Sequence, residues 1–138
     1  SYERTLKENN ISLDKNYYQE SLLGSTDNGV KLTRKLLNLK KPPTAIICSL
    51  DKFFIGSLQE CENQKLNVGK DISIVGYNDY DIFLSTKNLT YVSHPIAQMG
   101  IDSVNILNKL ENGYNPEEVS ILIQPILHEG KSDGPLVK

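Results

Sequence analysis

The sequence has few of the residues that build metal centres. Its 138 residues include two cysteines, two histidines and no tryptophan. Cys48 and Cys61 belong to no Cys-x-x-Cys pair, so their spacing does not predict a zinc site. Both fall in apolar segments, which favours buried thiols in a reduced protein and leaves a disulfide as the open alternative. We predict no metal site and no cofactor.

The chain also lacks an excess of charge of either sign. Its formal net charge is −2, from 15 basic and 17 acidic residues. Affinity for a phosphate backbone needs clustered Lys and Arg, so this chain alone is not expected to bind DNA tightly. No stretch approaches the roughly 18 apolar residues that span a bilayer, and the first residues lack the apolar core of a signal peptide. The composition is that of an ordinary soluble globular domain, and the buried thiols favour the cytoplasm.

The common catalytic signatures are missing as well. There is no GxxxxGK[ST] or GxGxxG sequence for phosphate binding, and Ser57 stands in "IGSLQ" rather than in GxSxG. Asp79 and Asp81 could form a carboxylate pair or half of a cation site, but they also fit a solvated turn. His94, at a strand-to-helix junction, could bind a ligand or serve the fold. No enzyme is predicted.

What the sequence does contain is an alternation of apolar runs and amphipathic segments. The predicted helices are 1–10, 26–39, one opening at Asp51, where Asp51 is suited to cap it, and one from Pro95 to Asn112–Gly113. The predicted strands are 16–23, 44–50, 72–75, 89–93 and 120–128, with an irregular stretch over 77–88. Pro125 favours an edge position or a bulge for the last strand, and the tail after it is expected to be loose. The order predicts a mostly parallel α/β sheet.

Ligands of open α/β sheets bind outside the carboxyl ends of the strands. The candidate segments are therefore 24–27, 49–53 and 77–81. The alternative is that these polar residues only bring the chain back to water.

Several landmarks resemble one family. The stretch "PTAIICSLDKFFIGSLQECENQKLNVGKDISIVGYNDYDIFLSTKNLTYVSHPIAQMGIDSVNILNKLENG" is similar to the C-terminal half of the effector-binding domain of lactose-repressor/galactose-repressor (LacI/GalR) type transcriptional regulators. Before it, "YERTLKENNI" resembles the helix that follows a glycine in such proteins. The landmarks occur in the family's order and cover the chain to about Gly130.

The resemblance implies a type I periplasmic-binding-protein-like fold, with two lobes joined by three crossovers and a small effector between them. It also implies that this chain is a part of the domain. Residues 1–90 and 117–132 would form the C-terminal lobe with its Rossmann-like sheet, and 91–116 would pack on an N-terminal lobe. Operator DNA would be bound by an N-terminal domain outside this chain.

Effector contacts carry over one position at a time. Asn78 stands where such regulators usually have an Asp that binds the effector, and Asp79 follows as in the family. Leu50 replaces a frequent Asn before Asp51, and His94 replaces a frequent Gln. Gly24 lies near a position where several members have an aromatic ring. The resemblance thus implies a sugar or related metabolite as effector, in a pocket less polar than that for a typical hexose.

The resemblance also implies a homodimer, whose interface would include Phe53, Ile82 and Phe83; the alternative is that they are core residues. The helix after Pro95, without its family partner, would expose its apolar face, fold back, or bury it against a second copy. The alternative function is solute capture by a binding protein of an uptake system, which shares the fold.

Overall fold

A computed structural model of the chain describes residues 2–78 and 88–135. Its helices are α1 (Tyr2–Glu8), α2 (Thr26–Leu37), α3 (Asp51–Asn63), α4 (Ile96–Glu111) and the short α5 (Pro116–Val119), with a 3₁₀ turn at Lys15–Tyr17. Its strands are β1 (Ala45–Cys48), β2 (Ser73–Asn78), β3 (Tyr91–Ser93) and β4 (Ile126–His128).

The four strands form one sheet in the order β1-β2-β3-β4. The pairs β1–β2 and β2–β3 are parallel, and β3–β4 is antiparallel. The predicted mostly parallel α/β sheet is therefore confirmed. The last strand is at the sheet edge, as Pro125 predicted, but it is shorter than predicted because it begins only after that proline, which cannot donate a ladder hydrogen bond.

The hydrophobic core lies between one face of the sheet and the helices α2 and α3. Ile46, Cys48 and Ile74 point to this side, where Phe54 and Cys61 of α3 are fully buried. Gly76 leaves room for the Phe54 ring, because a Cβ at this glycine would lie 3.0 Å from Phe54 Cδ1. The alternation of buried and exposed positions in β1 places Ile47 on the opposite face, where it is 69% exposed.

Helices α2 and α3 pack closely, and polar groups fix their alignment. The Thr33 and Ser57 hydroxyl oxygens lie 2.7 Å apart in this buried interface, and Cys48 Sγ lies 3.3 Å from Ser57 Oγ. Arg34 donates to both carboxylate oxygens of Glu60. The two helices therefore form one packed layer over the sheet.

Helix α4 is the exception to this compact arrangement. None of its 16 residues is buried, and its main packing partner is the short α5. The exposed apolar side chains along it are Ile96, Met99, Ile101, Val104 and Leu107. The helix does not fold back on the described chain, so its apolar face stays available to a second copy or to another lobe. Its end is as predicted, at Asn112, with Gly113 at a φ of +88°.

The predicted strand at 16–23 is wrong. Asp14 Oδ1 accepts hydrogen bonds from the backbone and side-chain nitrogens of Asn16, which favours the 3₁₀ turn there. Tyr17 then donates through its hydroxyl to the Lys41 carbonyl. Strand preference for Tyr depends on a neighbouring strand, and no strand of the described sheet lies beyond β1.

The expectation of a loose tail is also wrong for the residues up to 135. The Ile74 amide donates to the Ser132 carbonyl at 2.7 Å, and the Ser132 hydroxyl donates to the Ile74 carbonyl at 2.7 Å. The Thr90 amide donates to the same hydroxyl. Ser132 is almost completely buried, so the tail is held against β2.

The remaining helix predictions agree with the structure within a few residues. One detail differs: Leu50, not Asp51, occupies the N-cap of α3, and no side chain caps that helix. Similarly, Pro95 is the N-cap of α4 rather than its first residue. In the described part of the chain, no helix has the length and apolar character needed to cross a membrane.

Candidate functional site

The carboxyl ends of three parallel strands meet at one edge of the sheet. Cys48 at the end of β1 is in register with Gly76 of β2, and Asn78 at the end of β2 is in register with Ser93 of β3. The backbone of Asn78 is thus next to the end of β3, and His94 follows directly. The predicted segment 49–53 after β1 and the end of β2 therefore lie at the same edge as His94, as a parallel sheet requires. The predicted segment 24–27 follows no strand, because 16–23 does not form one.

Leu50 and Gly24 are in contact at this edge. A Cβ at Gly24 would lie 3.0 Å from Leu50 Cδ1, so the leucine side chain occupies the space next to residue 24. Leu50 is still 44% exposed. Leu50 and Gly24 are the two positions where this chain lacks a side chain that is frequent in the family it resembles, an amide at 50 and an aromatic ring at 24. Because they are neighbours, one side of the candidate site is apolar.

Asp51 is half-buried and is the first residue of α3. Its Oδ1 accepts a hydrogen bond of 2.7 Å from the Lys52 amide. A carboxylate at this end of a helix is stabilised by the positive end of the helix dipole. Asp51 therefore supplies the negative charge of the described edge close to Leu50.

His94 lies against Tyr77. The two ring centroids are 4.8 Å apart, and the ring planes meet at 87°, which is an edge-to-face arrangement. Tyr77 is 40% exposed, and it belongs to β2 rather than to the irregular segment predicted for it. The contact was not predicted, although Tyr77 continues the run of Ile74, Val75 and Gly76 and tyrosine is favoured in strands, which is the signal that would have extended the strand.

The chain turns sharply after His94. The Ile96 amide donates to the His94 carbonyl at 2.9 Å, and Pro95 has φ −76° and ψ 69°. These are the values of an inverse γ-turn. His94 therefore connects the sheet edge to α4 through a single tight turn.

The predicted dimer residues are only partly described. Phe53 is half-buried and packs against the core cluster, so part of its ring already has a partner within the chain. Ile82 and Phe83 lie outside the described residues, as do Asp79 and Asp81.

Ser57 and the two cysteines, Cys48 and Cys61, are buried. Ser57 contacts Thr33 and Cys48 within the α2–α3 interface. Burial raises the pKa of the Cys48 thiol to about 11, and burial likewise raises the pKa of the Cys61 thiol to about 11. Such thiols stay protonated at neutral pH, and only thiolates are good nucleophiles. Among residues 2–78 and 88–135, no group of three or more His, Cys, Asp or Glu side chains could hold a metal ion.

A groove of about 560 Å³ lies on a different part of the surface, along α2. Its lining residues are Glu20, Ser21, Asn28, Lys31, Leu32, Arg34, Lys35 and Asn38. Of the predicted effector residues whose side chains the structure describes, Gly24, Leu50, Asp51 and His94, none lines it. At the strand ends, by contrast, the candidate site is an open edge. It has an apolar side formed by Leu50 and Gly24, the carboxylate of Asp51, and the Tyr77–His94 pair.

Comparison with known proteins gives a consistent picture. The family model described as a periplasmic binding protein-like domain matches residues 1–132. The HTH-type transcriptional repressor CytR of Escherichia coli strain K12 is 29% identical over 107 residues, covering 77% of this chain and 31% of the relative. The ribose operon repressor of Haemophilus influenzae is 32% identical, covering 85% and 35%. The repressor PurR of Histophilus somni is 28% identical, covering 95% and 39%. The chain thus spans between 31% and 39% of the length of these relatives.

Solved structures agree in fold. A transcriptional regulator from Yersinia pestis, 27% identical, superposes with a TM-score of 0.86 and covers 99% of this chain and 49% of its own. A regulatory protein of the LacI family from Chloroflexus aggregans, also 27% identical, has a TM-score of 0.83 and coverages of 96% and 48%. The regulator CelR, solved in complex with cellobiose, shares the fold at 22% identity with a TM-score of 0.79, covering 95% and 40%.

Proposed function

The chain belongs to the periplasmic binding protein-like domain family, in the group of LacI-type transcriptional regulators, and we propose that it is part of the effector-sensing domain of such a regulator. It would bind a sugar or related small metabolite at the carboxyl edge of its sheet. The observation that carries this proposal is the convergence of the ends of β1, β2 and β3, with Leu50, Asn78 and His94, at one edge.

The proposed effector contacts are Asn78, Asp79 and His94 on the polar side, with Leu50, Asp51 and Gly24 on the other. Neighbouring strands are about 4.8 Å apart, so the ends of β1 and β3 are separated by about 10 Å, the width of a small ring compound. The contact between Leu50 and Gly24 supports a ligand with an apolar face on that side. Cellobiose in CelR supports sugars as one class to test.

Binding rather than catalysis is proposed, since the named relatives are transcriptional regulators and the thiols of the described chain are protonated. In the whole protein, effector binding between two lobes would shift an equilibrium that is read at operator DNA by other segments. Residues 1–90 and 117–132 would belong to the lobe that carries this site. Within segment 91–116, β3 pairs with β2, and α4 would pack on the other lobe. Such a regulator would act in the cytoplasm.

We propose that the regulator is a homodimer and that Phe53, Ile82 and Phe83 contribute to its interface. The half-burial of Phe53 leaves part of its ring for a partner. A Phe83→Asp variant of the full-length protein should then have a lower molar mass by light scattering than the wild type, because a carboxylate is costly in a buried interface. An unchanged mass would remove Phe83 from the interface.

The effector site is tested by thermal-shift screening of the full-length protein against sugars, sugar phosphates and nucleosides. The strongest compound is then titrated against Asn78→Ala, which should weaken binding by about tenfold, since one hydrogen bond to a ligand is lost. Asn38→Ala is the matched control, because Asn38 lies at the groove on α2 and away from the strand ends. Equal affinities of wild type and Asn78→Ala would exclude Asn78 from the site, and weaker binding by Asn38→Ala alone would locate the ligand in the groove.

A further inference from the structure

We propose that Tyr77 is a positioning residue of the effector site, whose ring holds the imidazole of His94 in one orientation at the sheet edge. This inference rests on the proposed function, because His94 is there assigned to the effector. It adds a residue that acts through His94 and needs no contact with the ligand itself.

The first argument is the geometry of the two rings. Their centroids are 4.8 Å apart and their planes are almost perpendicular, at 87°. Edge-to-face pairs are attractive because the edge of one ring carries positive and the face of the other negative partial charge. A contact of this kind favours one ring orientation by about two- to tenfold. Loss of the Tyr77 ring therefore removes this preference for one orientation of the imidazole.

The second argument is the position of both residues on the strands. Tyr77 is in register with Val92 of β3, and His94 lies two residues beyond Val92. Side chains two positions apart on an extended chain lie on the same face of the sheet, so Tyr77 and His94 are diagonal neighbours. Adjacent strands thus bring the two rings together.

The third argument concerns the backbone of His94. The strand β3 precedes it, and the inverse γ-turn at Pro95 follows it, with the Ile96 amide bonded to the His94 carbonyl. Proline fixes φ of this turn. The backbone does not set the side-chain torsions of the imidazole, and its two ring nitrogens differ in whether they donate or accept. A ligand hydrogen bond to His94 therefore depends on how the ring is held.

The second histidine provides an internal comparison. His128 is stacked on Tyr91 with centroids 4.4 Å apart and planes at 8°, and its Nε2 lies 2.8 Å from Ser93 Oγ. Tyr91 is buried within the sheet, whereas Tyr77 is 40% exposed at the edge. Both histidines thus lie against a tyrosine, but only His94 is among the proposed effector contacts, and its tyrosine is the more exposed of the two.

The direct test uses proton NMR of the chain, whose two histidines give few imidazole signals. Wild type should show nuclear Overhauser effects between the Tyr77 and His94 ring protons. Tyr77→Phe should retain them, and Tyr77→Leu should change the His94 imidazole shifts while the Tyr91–His128 effects persist, which reports an intact fold. Unchanged His94 imidazole shifts in Tyr77→Leu would overturn the proposal, whether or not any ligand binds.

The functional test uses the full-length protein and the compound with the largest thermal shift among cellobiose, ribose, ribose 5-phosphate and adenosine. Tyr77→Leu should raise its Kd by about two- to tenfold and Tyr77→Phe should leave it unchanged.

In a double-mutant cycle, adding Tyr77→Leu to His94→Ala should cause no further loss of affinity. Additive losses would overturn the proposal, since Tyr77 would then act independently of His94. If no compound binds the wild type, the proposed function loses its support, and the NMR result alone decides the role of Tyr77.

Discussion

Arg34 of α2 and Glu60 of α3 form a two-pronged ion pair, with Nε 2.8 Å from Oε1 and Nη2 2.7 Å from Oε2 of the carboxylate. The pair is unequal, because the Glu60 side chain is 2% exposed and the Arg34 side chain is 52% exposed. Gln64 donates a further hydrogen bond of 2.8 Å to Oε1. The carboxylate is therefore buried among donors, while the guanidinium keeps contact with water.

We predict that Arg34→Gln lowers the free energy of unfolding more than Glu60→Gln does. Removing the arginine leaves a buried carboxylate without its cation, whereas removing the carboxylate leaves a guanidinium that water can solvate. Glu60→Gln should cost about 1–3 kcal/mol, since a buried amide replaces a charged acceptor. Urea unfolding at neutral pH measures both, and a larger loss for Glu60→Gln would contradict the inequality.

The stability of the fold should fall in acid because of Glu60. Hydrogen bonds from Arg34 lower the pKa of this carboxyl from 4.5 to about 2, despite its burial. A carboxyl whose pKa is lower in the folded state stabilises the fold above the unfolded pKa and loses this contribution as the pH falls through the folded value. Between about pH 4.5 and 2, wild type should therefore lose up to about 3 kcal/mol that Glu60→Gln does not lose. Parallel pH profiles of the two proteins would refute this assignment.

The packing of α2 on α3 should not tolerate a methyl group at Gly56. A Cβ there would collide with the Thr26 carbonyl oxygen and lie 2.7 Å from the Val30 amide nitrogen, both of which are backbone atoms. Gly56→Ala should therefore destabilise the fold by about 2–3 kcal/mol.

Gly100 in α4 is the matched control for this substitution, because a Cβ there meets no atom within 4 Å. Gly100→Ala should raise stability by about 0.5–1 kcal/mol through helix propensity alone. Thermal unfolding of the two variants would oppose this account if both changed the melting temperature in the same direction.

The exposed apolar face of α4 should make the isolated chain self-associate at high concentration. Val104 and Leu107 are each more than half exposed, and contiguous apolar surface of this kind favours association. Size-exclusion chromatography with light scattering should give about twice the mass of one chain. Val104→Glu with Leu107→Glu should return the mass to that of one chain, and Asn105→Glu on the opposite face should not. A wild-type mass equal to one chain at high concentration would exclude the association.

The sequence by itself determined the elements whose pattern is local. The spacing of Phe54, Leu58 and Cys61 defined α3, the apolar runs before Leu50 and Gly76 defined β1 and β2, and Asn112–Gly113 defined the end of α4. These elements, with their order, were enough to predict a parallel α/β sheet and the edge where a ligand would bind. Periodicity and capping act over a few residues, so one sequence displays them directly.

The tertiary structure alone decided which distant residues meet. Leu50 contacts Gly24, Tyr77 lies against His94, and Ser132 is bonded to Ile74, yet no periodic pattern links the members of these pairs. The same reason explains why 16–23 is not a strand: its tyrosines have strand propensity, but a strand needs a partner, and the choice of partner is a property of the whole sheet. The half-exposed Tyr–His pair and the apolar Leu50 side of the candidate site are therefore consequences of strand register and helix packing.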